Sequence, residues 1–193
     1  MKKKSSDVLH HILDDHEVLR ESIDVILSEE ISLTEKKSEL EKFLRNLQLH
    51  TRTEKVCFYD AVVSLKGVRP WILHATEEHN IADNLVRELE GMSFKRDWTD
   101  EVDAKAKVLA ELVKRHAEEE EAELFPVVKA NLTKTELDNL GVVYLQKRKE
   151  FKNDLQESYM LPTMDDMTNL VYQGWRGALH RVTSYVSKIN PSR

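Results

Sequence analysis

Two pairs of residues with the same spacing carry the chemistry available to this chain: His50 with Glu54, and His116 with Glu120. On a helix, a spacing of four stacks an imidazole and a carboxylate on one face, one turn apart. Each pair sits in an otherwise apolar stripe. His50 and Glu54 follow Leu40, Phe43, Leu44 and Leu47 and precede Phe58, Ala61 and Val62. His116 and Glu120 fall among Val102, Leu109, Leu112, Val113, Leu124 and Val127. A carboxylate in a core is costly unless something positive sits with it. Two single histidines occupy comparable places: His16 ahead of Leu19 and Ile23, and His79 ahead of Ala82 and Val86. The order along the chain is therefore H, HxxxE, H, HxxxE.

A lone inward histidine is more often a satisfied core residue than a ligand, and one HxxxE is a weak signal because glutamate is common in helices. Four inward histidines and two inward glutamates, spread over four helices, are harder to explain as core polarity. Every member of a buried polar network must find a partner. The pattern predicts a metal site made of His16, His50, Glu54, His79, His116 and Glu120. Imidazole and carboxylate without thiolate suit iron, manganese or zinc. Six ligands exceed what one tetrahedral zinc ion takes. Two ions bridged by Glu54 and Glu120, with two histidines each and an oxide or hydroxide between them, would use the whole set. The HExxH pattern of zinc proteases is absent, and so is the ExxH pattern of ferritin-like proteins; here His precedes Glu.

The elements that must position these groups are helices. Of 193 residues, 40% are hydrophobic and 33% charged, with five Gly and four Pro, so there is little to interrupt long helices. The expected fold class is all-α: an up-down four-helix bundle over residues 1–140, with a C-terminal helical extension over 141–193 packed on it. The first helix is expected over 6–28. A capping box, Ser32 with Glu35, opens the second, which should stop near Gly67 because Pro70 follows. The third is expected over 71–90, with Gly91 as its stop. A loop over 92–99 leads to the fourth, which starts near Asp100 and should kink or end at Pro126. A second capping box, Thr133 with Glu136, begins a shorter helix reaching about Asp154. Residues 163–189 read as a last amphipathic helix carrying Tyr172, Trp175 and Tyr185, a possible homodimer surface.

Around the site, His10 and His11 read as solvent-facing, and Glu118, Glu119, Glu121 and Glu123 as a solvated helix face. Cys57 reads as a small buried apolar residue. Tyr59 and Trp71 are candidate donors behind the ligands. The formal net charge of −6, with no basic stripe beyond Lys2 to Lys4, argues against nucleic acid as a partner. No apolar run approaches the ~18–20 residues that span a bilayer, so no membrane partner is expected. The single cysteine fits a reducing compartment, and the expected location is cytoplasmic.

These residues resemble the hemerythrin HHE cation-binding domain family. Asp15-His16 with Leu19 and Ile23 resembles its first helix, and His50-Thr-Arg-Thr-Glu54 with Phe58-Tyr59 its second. Glu78-His79 with Ala82, Val86 and Leu89 resembles the third. His116-Ala-Glu-Glu-Glu120-Glu121 followed by Leu124-Phe125-Pro126 resembles the fourth and is the most specific piece. The resemblance implies an oxygen-bridged pair of iron ions in a four-helix bundle. It implies His16, His50, His79 and His116 as terminal ligands and Glu54 and Glu120 as bridges. In one respect the chain departs from the oxygen carriers of the family: they place a further histidine four residues before the position of His79, where this chain has Ala75. A six-ligand set leaves more exchangeable positions. It directs expectation from plain oxygen carriage toward binding O2 or a related small ligand for sensing, scavenging or storage. A second class, a di-iron enzyme that handles peroxide or nitric oxide or repairs iron–sulfur centres, shares the same ligand order. Helix phase also leaves open that His74 and Glu78 join or replace His79.

Overall fold

The structure is a computed structural model and describes residues 7–160. All secondary structure among them is helical. Helix α1 spans Val8–Leu27, capped by the Asp7 carboxylate, which accepts from the His10 backbone N–H. Helix α2 spans Leu33–Glu54, opened by the Ser32–Glu35 capping box. It continues through a one-turn π-helix, Lys55–Tyr59, into the short α3, Asp60–Val62. Helix α4 spans Arg69–Gly91, with Pro70 in its first turn, where a missing N–H costs nothing. Helix α5 spans Asp100–Glu119, capped by Thr99. It too passes through a π turn, Glu120–Leu124, into α6, Phe125–Asn131. Helix α7 spans Lys134–Met160, and the Glu136 carboxylate accepts from the Thr133 backbone N–H and hydroxyl.

These rods, joined by short links, form an up-down bundle. Helix α1 packs on α2 and α5, and α4 packs on α5 and α2. The apolar interior divides into two clusters along the bundle axis. Leu19, Ile23, Leu40, Phe43, Leu44, Val86, Leu89, Leu109 and Val113 belong to one. Val8, Ile12, Phe58, Tyr59, Leu124, Phe125, Val128 and Tyr144 belong to the other. All six of the predicted ligands are buried polar residues and belong to neither.

The two π turns correct the expected register. A strict 3.6-residue period carries the inward face from Glu54 to Ala61 and from Glu120 to Val127. A π turn widens the helix and inserts a residue's worth of phase. Ala61 and Val127 are therefore exposed; Val62, also on the expected stripe, stays fully buried, and Val128 is buried where Val127 is expected. Pro126, expected to kink or end its helix, instead sits in the first turn of α6, and the rod continues to Asn131. Gly67 marks the turn before α4 with φ +83°, the left-handed region that glycine enters without a Cβ penalty.

The chain divides between Asn153 and Asp154, and residue 140 lies within α7. The helix expected over 163–189, and the dimer surface assigned to it, lie outside the described residues. No helix among the described residues is long and apolar enough to cross a membrane.

Candidate metal centre

Four rods deliver the six predicted groups to one spot. Glu54 and Glu120 sit where the helices widen: Glu54 is the last residue of α2 before its π turn, and Glu120 is the first residue of the second π turn. Both are 0% exposed. The Nε2 atoms of the histidines gather on these carboxylates. His50 lies 3.6 Å from Glu54 Oε2 and His79 3.4 Å from the same oxygen, while His16 lies 3.3 Å from Glu120 Oε2. The Nε2 atoms of His79 and His116 are 3.0 Å apart. A trio nearer the surface, His74, Glu78, Glu119, and two fully buried ones have their ligand atoms mutually within 4.8 Å; the buried ones are His16, His50, Glu54 and Glu54, His79, His116. Glu54 belongs to both.

Behind the histidines stands a ring of carboxylates. Glu121 Oε1 lies 2.7 Å from His16 Nδ1, and Arg20 pairs with the same carboxylate. Glu78 Oε2 lies 2.8 Å from His116 Nδ1 and is held from its other side by Arg115 at 2.9 Å. Asp15 Oδ2 lies 3.9 Å from His50 Nδ1, too far for a hydrogen bond. An ionised carboxylate can only accept. Nδ1 of His16 and of His116 therefore donates, and each Nε2 faces inward. That is the arrangement by which outer carboxylates fix the tautomer and orientation of metal-binding imidazoles.

The electrostatics point the same way. Burial, then the charge of Glu120, pushes the Glu54 carboxyl up to about 7. Burial likewise pushes Glu120 up to about 8. Burial, then the neighbouring His116 and His50, holds His79 well below the usual imidazole range. The outer carboxylates go the other way. Glu78 is lowered chiefly by its hydrogen bond from His116. Burial raises Glu121 and Asp15, but His16 and Arg20 for the first, and His50, Arg148 and Tyr144 for the second, bring both below the ordinary range. Charge is thus stable in the outer ring and costly at the centre.

The donor set fits a cation. Both oxygens of Glu54, both of Glu120 and Nε2 of His16 are buried with no hydrogen-bond partner. Orphaned buried carboxylate oxygens are rare in native proteins and call for an unseen positive group. The separation of the His79 and His116 nitrogens suits neighbouring ligands of one ion, since metal–nitrogen bonds of ~2.0–2.1 Å at right angles place their nitrogens roughly 3 Å apart. No thiolate competes: Cys57 is buried in the apolar cluster around Phe58.

On α4, His79 turns toward Glu54 and His116. Its neighbour Glu78 faces His116 from behind, and the His74 side chain is 64% exposed, 3.9 Å from Glu78. Glu121 is not part of a solvated face, because the π turn rotates it back toward His16. His10 and His11 are half-buried rather than solvent-facing, and the His11 ring stacks on Tyr144. Tyr59 stacks on His79 and puts its hydroxyl 3.3 Å from His116 Nε2. Burial, then Glu120 and Glu54, raises its phenol well above 10, so it stays protonated. Trp71 reaches His116 through ring contact only, at 6.2 Å between centroids. On the side of the centre facing Leu19, Leu47, Ala82, Leu112 and Val113 there is a cavity of about 10 Å³, bounded by all four histidines.

The profile of the Hemerythrin HHE cation binding domain matches residues 7–128, and the chain belongs to that family. Comparison with curated proteins and with solved structures gave no match.

Proposed function

We propose that this protein holds two iron ions through His16, His50, Glu54, His79, His116 and Glu120, and that it binds O2 or a related small ligand there for sensing, scavenging or storage. The observation that carries the reading is the pair of histidine trios sharing Glu54, with four orphaned carboxylate oxygens between them. Glu54 and Glu120 would bridge, and the histidines would be terminal ligands. When bound, paired ferrous ions supply electrons and open coordination positions. The chain's own residues supply the rest. Glu121 and Glu78 aim His16 and His116. Leu19, Leu47, Ala82 and Val113 form an apolar wall around a small space beside the four histidines, which suits a small ligand. Ala75 is buried and offers no ligand atom where the family's oxygen carriers place a histidine.

Tyr59 favours a second reading, a di-iron enzyme acting on peroxide or nitric oxide. Its protonated hydroxyl lies beside His116 and can donate a hydrogen bond or a proton to what binds there. Anaerobic loading with ferrous iron followed by exposure to O2, nitric oxide or peroxide separates the readings. Reversible spectra without consumption support binding, and catalytic consumption supports the enzyme. No spectral response to any of the three contradicts both.

A further inference from the structure

Of the three carboxylate–histidine pairs behind the centre, two are closed at 2.7 and 2.8 Å and one is open at 3.9 Å. The open pair is His50 with Asp15, and it is held differently. Glu121 and Glu78 are anchored by arginines on the bundle's own helices. Asp15 is anchored from α7: the Tyr144 hydroxyl donates to Oδ2 at 2.7 Å, and Arg148 pairs with Oδ1 at 2.6 Å. Both anchors lie beyond residue 128, where the family match ends.

We propose that Tyr144 and Arg148 are positioning residues for the metal centre, and that metal loading and the docking of α7 stabilise each other through Asp15 and His50. The inference rests on the metal-centre reading above. His50 Nδ1 is buried and has no hydrogen-bond partner. Once Nε2 gives its lone pair to a cation, Nδ1 carries a proton that must be satisfied, and Asp15 Oδ2 is the carboxylate oxygen facing it. Closing that gap to hydrogen-bond length moves one partner by roughly 1 Å. Asp15 cannot move without drawing on two side chains of α7. Tyr144 is fully buried, with His11 stacked on its ring, so the pull falls on the helix rather than on a free rotor. The coupling is reciprocal: what loosens α7 weakens the grip of His50 on its ion, and what fills the site tightens α7.

The test uses the full chain and ferrous iron added without oxygen. It reads the affinity for each of the two ions, and hydrogen exchange over residues 140–153 with and without iron. In the parent protein, loading should slow exchange across 140–153 severalfold. Tyr144→Phe keeps the ring and removes the hydroxyl. It should lower the affinity for one of the two ions by about 10–100-fold, leave the other within about threefold, and abolish the slowing over 140–153. Arg148→Gln, at a side chain 24% exposed, should act in the same direction, so the test stands if Tyr144→Phe does not fold. Val142→Ala, on the exposed face of the same helix, should change none of these. A merely structural role predicts faster exchange in both states and equal loss at both ions. That result, or two ions bound with exchange over 140–153 unchanged, overturns the inference and leaves the metal centre standing. A chain that takes up no iron removes the metal-centre reading and the inference together.

Discussion

Strip the protein of metal and raise the pH from 6.5 to 9. The structure predicts that it loses stability over that window. In the folded, metal-free state the Glu54 and Glu120 carboxyls sit at about 7 and about 8, against 4.5 for an ordinary glutamate. Above 4.5 the folded state therefore holds protons that the unfolded chain has released, so stability falls as pH rises, and the loss is complete above about 8. His79 has the opposite sign: its depressed basicity costs stability only below its ordinary value of 6.5, so the chosen window avoids it. Between pH 6.5 and 9 the two glutamates together change the proton balance by the equivalent of roughly two pH units, or about 3 kcal/mol. For a chain of this size that is a fall in melting temperature of about 6–12 °C. The assay is thermal unfolding of chelator-treated protein, followed by circular dichroism at four or five pH values. Glu120→Gln should remove most of the slope, because it deletes the group with the larger shift and relieves Glu54 of its charged neighbour. Iron-loaded protein should show no such decline, since its carboxylates are already ionised and paired. A flat profile for the metal-free protein, or one rising toward pH 9, would refute the electrostatic account of the centre.

Other perturbations separate the parts of the site. Glu121→Gln leaves the shape of the residue but removes the charge that orients His16, and should lower iron affinity by about 10–100-fold in a metal titration, whereas Glu118→Gln should not. Ala82→Leu should fill the 10 Å³ cavity and block the spectral response to O2 or nitric oxide while two metal ions remain bound; an unaltered response would place ligand entry elsewhere. Thr99→Ala should cost about 1 kcal/mol in denaturant unfolding whether or not metal is present, because the cap of α5 lies far from the ligands in sequence and serves only the helix end.

Particular residues show how much of this was legible in the chain alone. The apolar period of each helix and the Ser32–Glu35 and Thr133–Glu136 boxes place the rods, since caps and periodicity are local properties. The H, HxxxE, H, HxxxE order picks out six residues, five of which fall in the two buried ligand trios while Glu120 joins them through His16, because helical spacing fixes which side chains share a face. What the sequence hides is of two kinds. A π turn leaves no periodic signature, so Ala61 and Val127 read as inward although both are exposed, and Val128, which packs, is not on the expected stripe. Long-range partners leave none either. Glu121 meets His16 across 105 residues and Tyr144 meets Asp15 across 129, and a glutamate in an acidic run or a tyrosine on a peripheral helix looks the same whether it backs a ligand or faces water.

The chain's central feature is a dry cluster of two carboxylates and four imidazoles, with all four carboxylate oxygens buried and lacking a hydrogen-bond partner. Metal analysis of protein produced in iron-rich medium, with an ultraviolet–visible spectrum of the same sample, addresses that feature most directly. Two irons per chain with oxo-bridge absorption, and none retained when Glu54 and Glu120 are both changed to Gln in a folded variant, is the predicted result. A parent protein that binds neither iron nor any other divalent metal, with all six side chains intact, would contradict it.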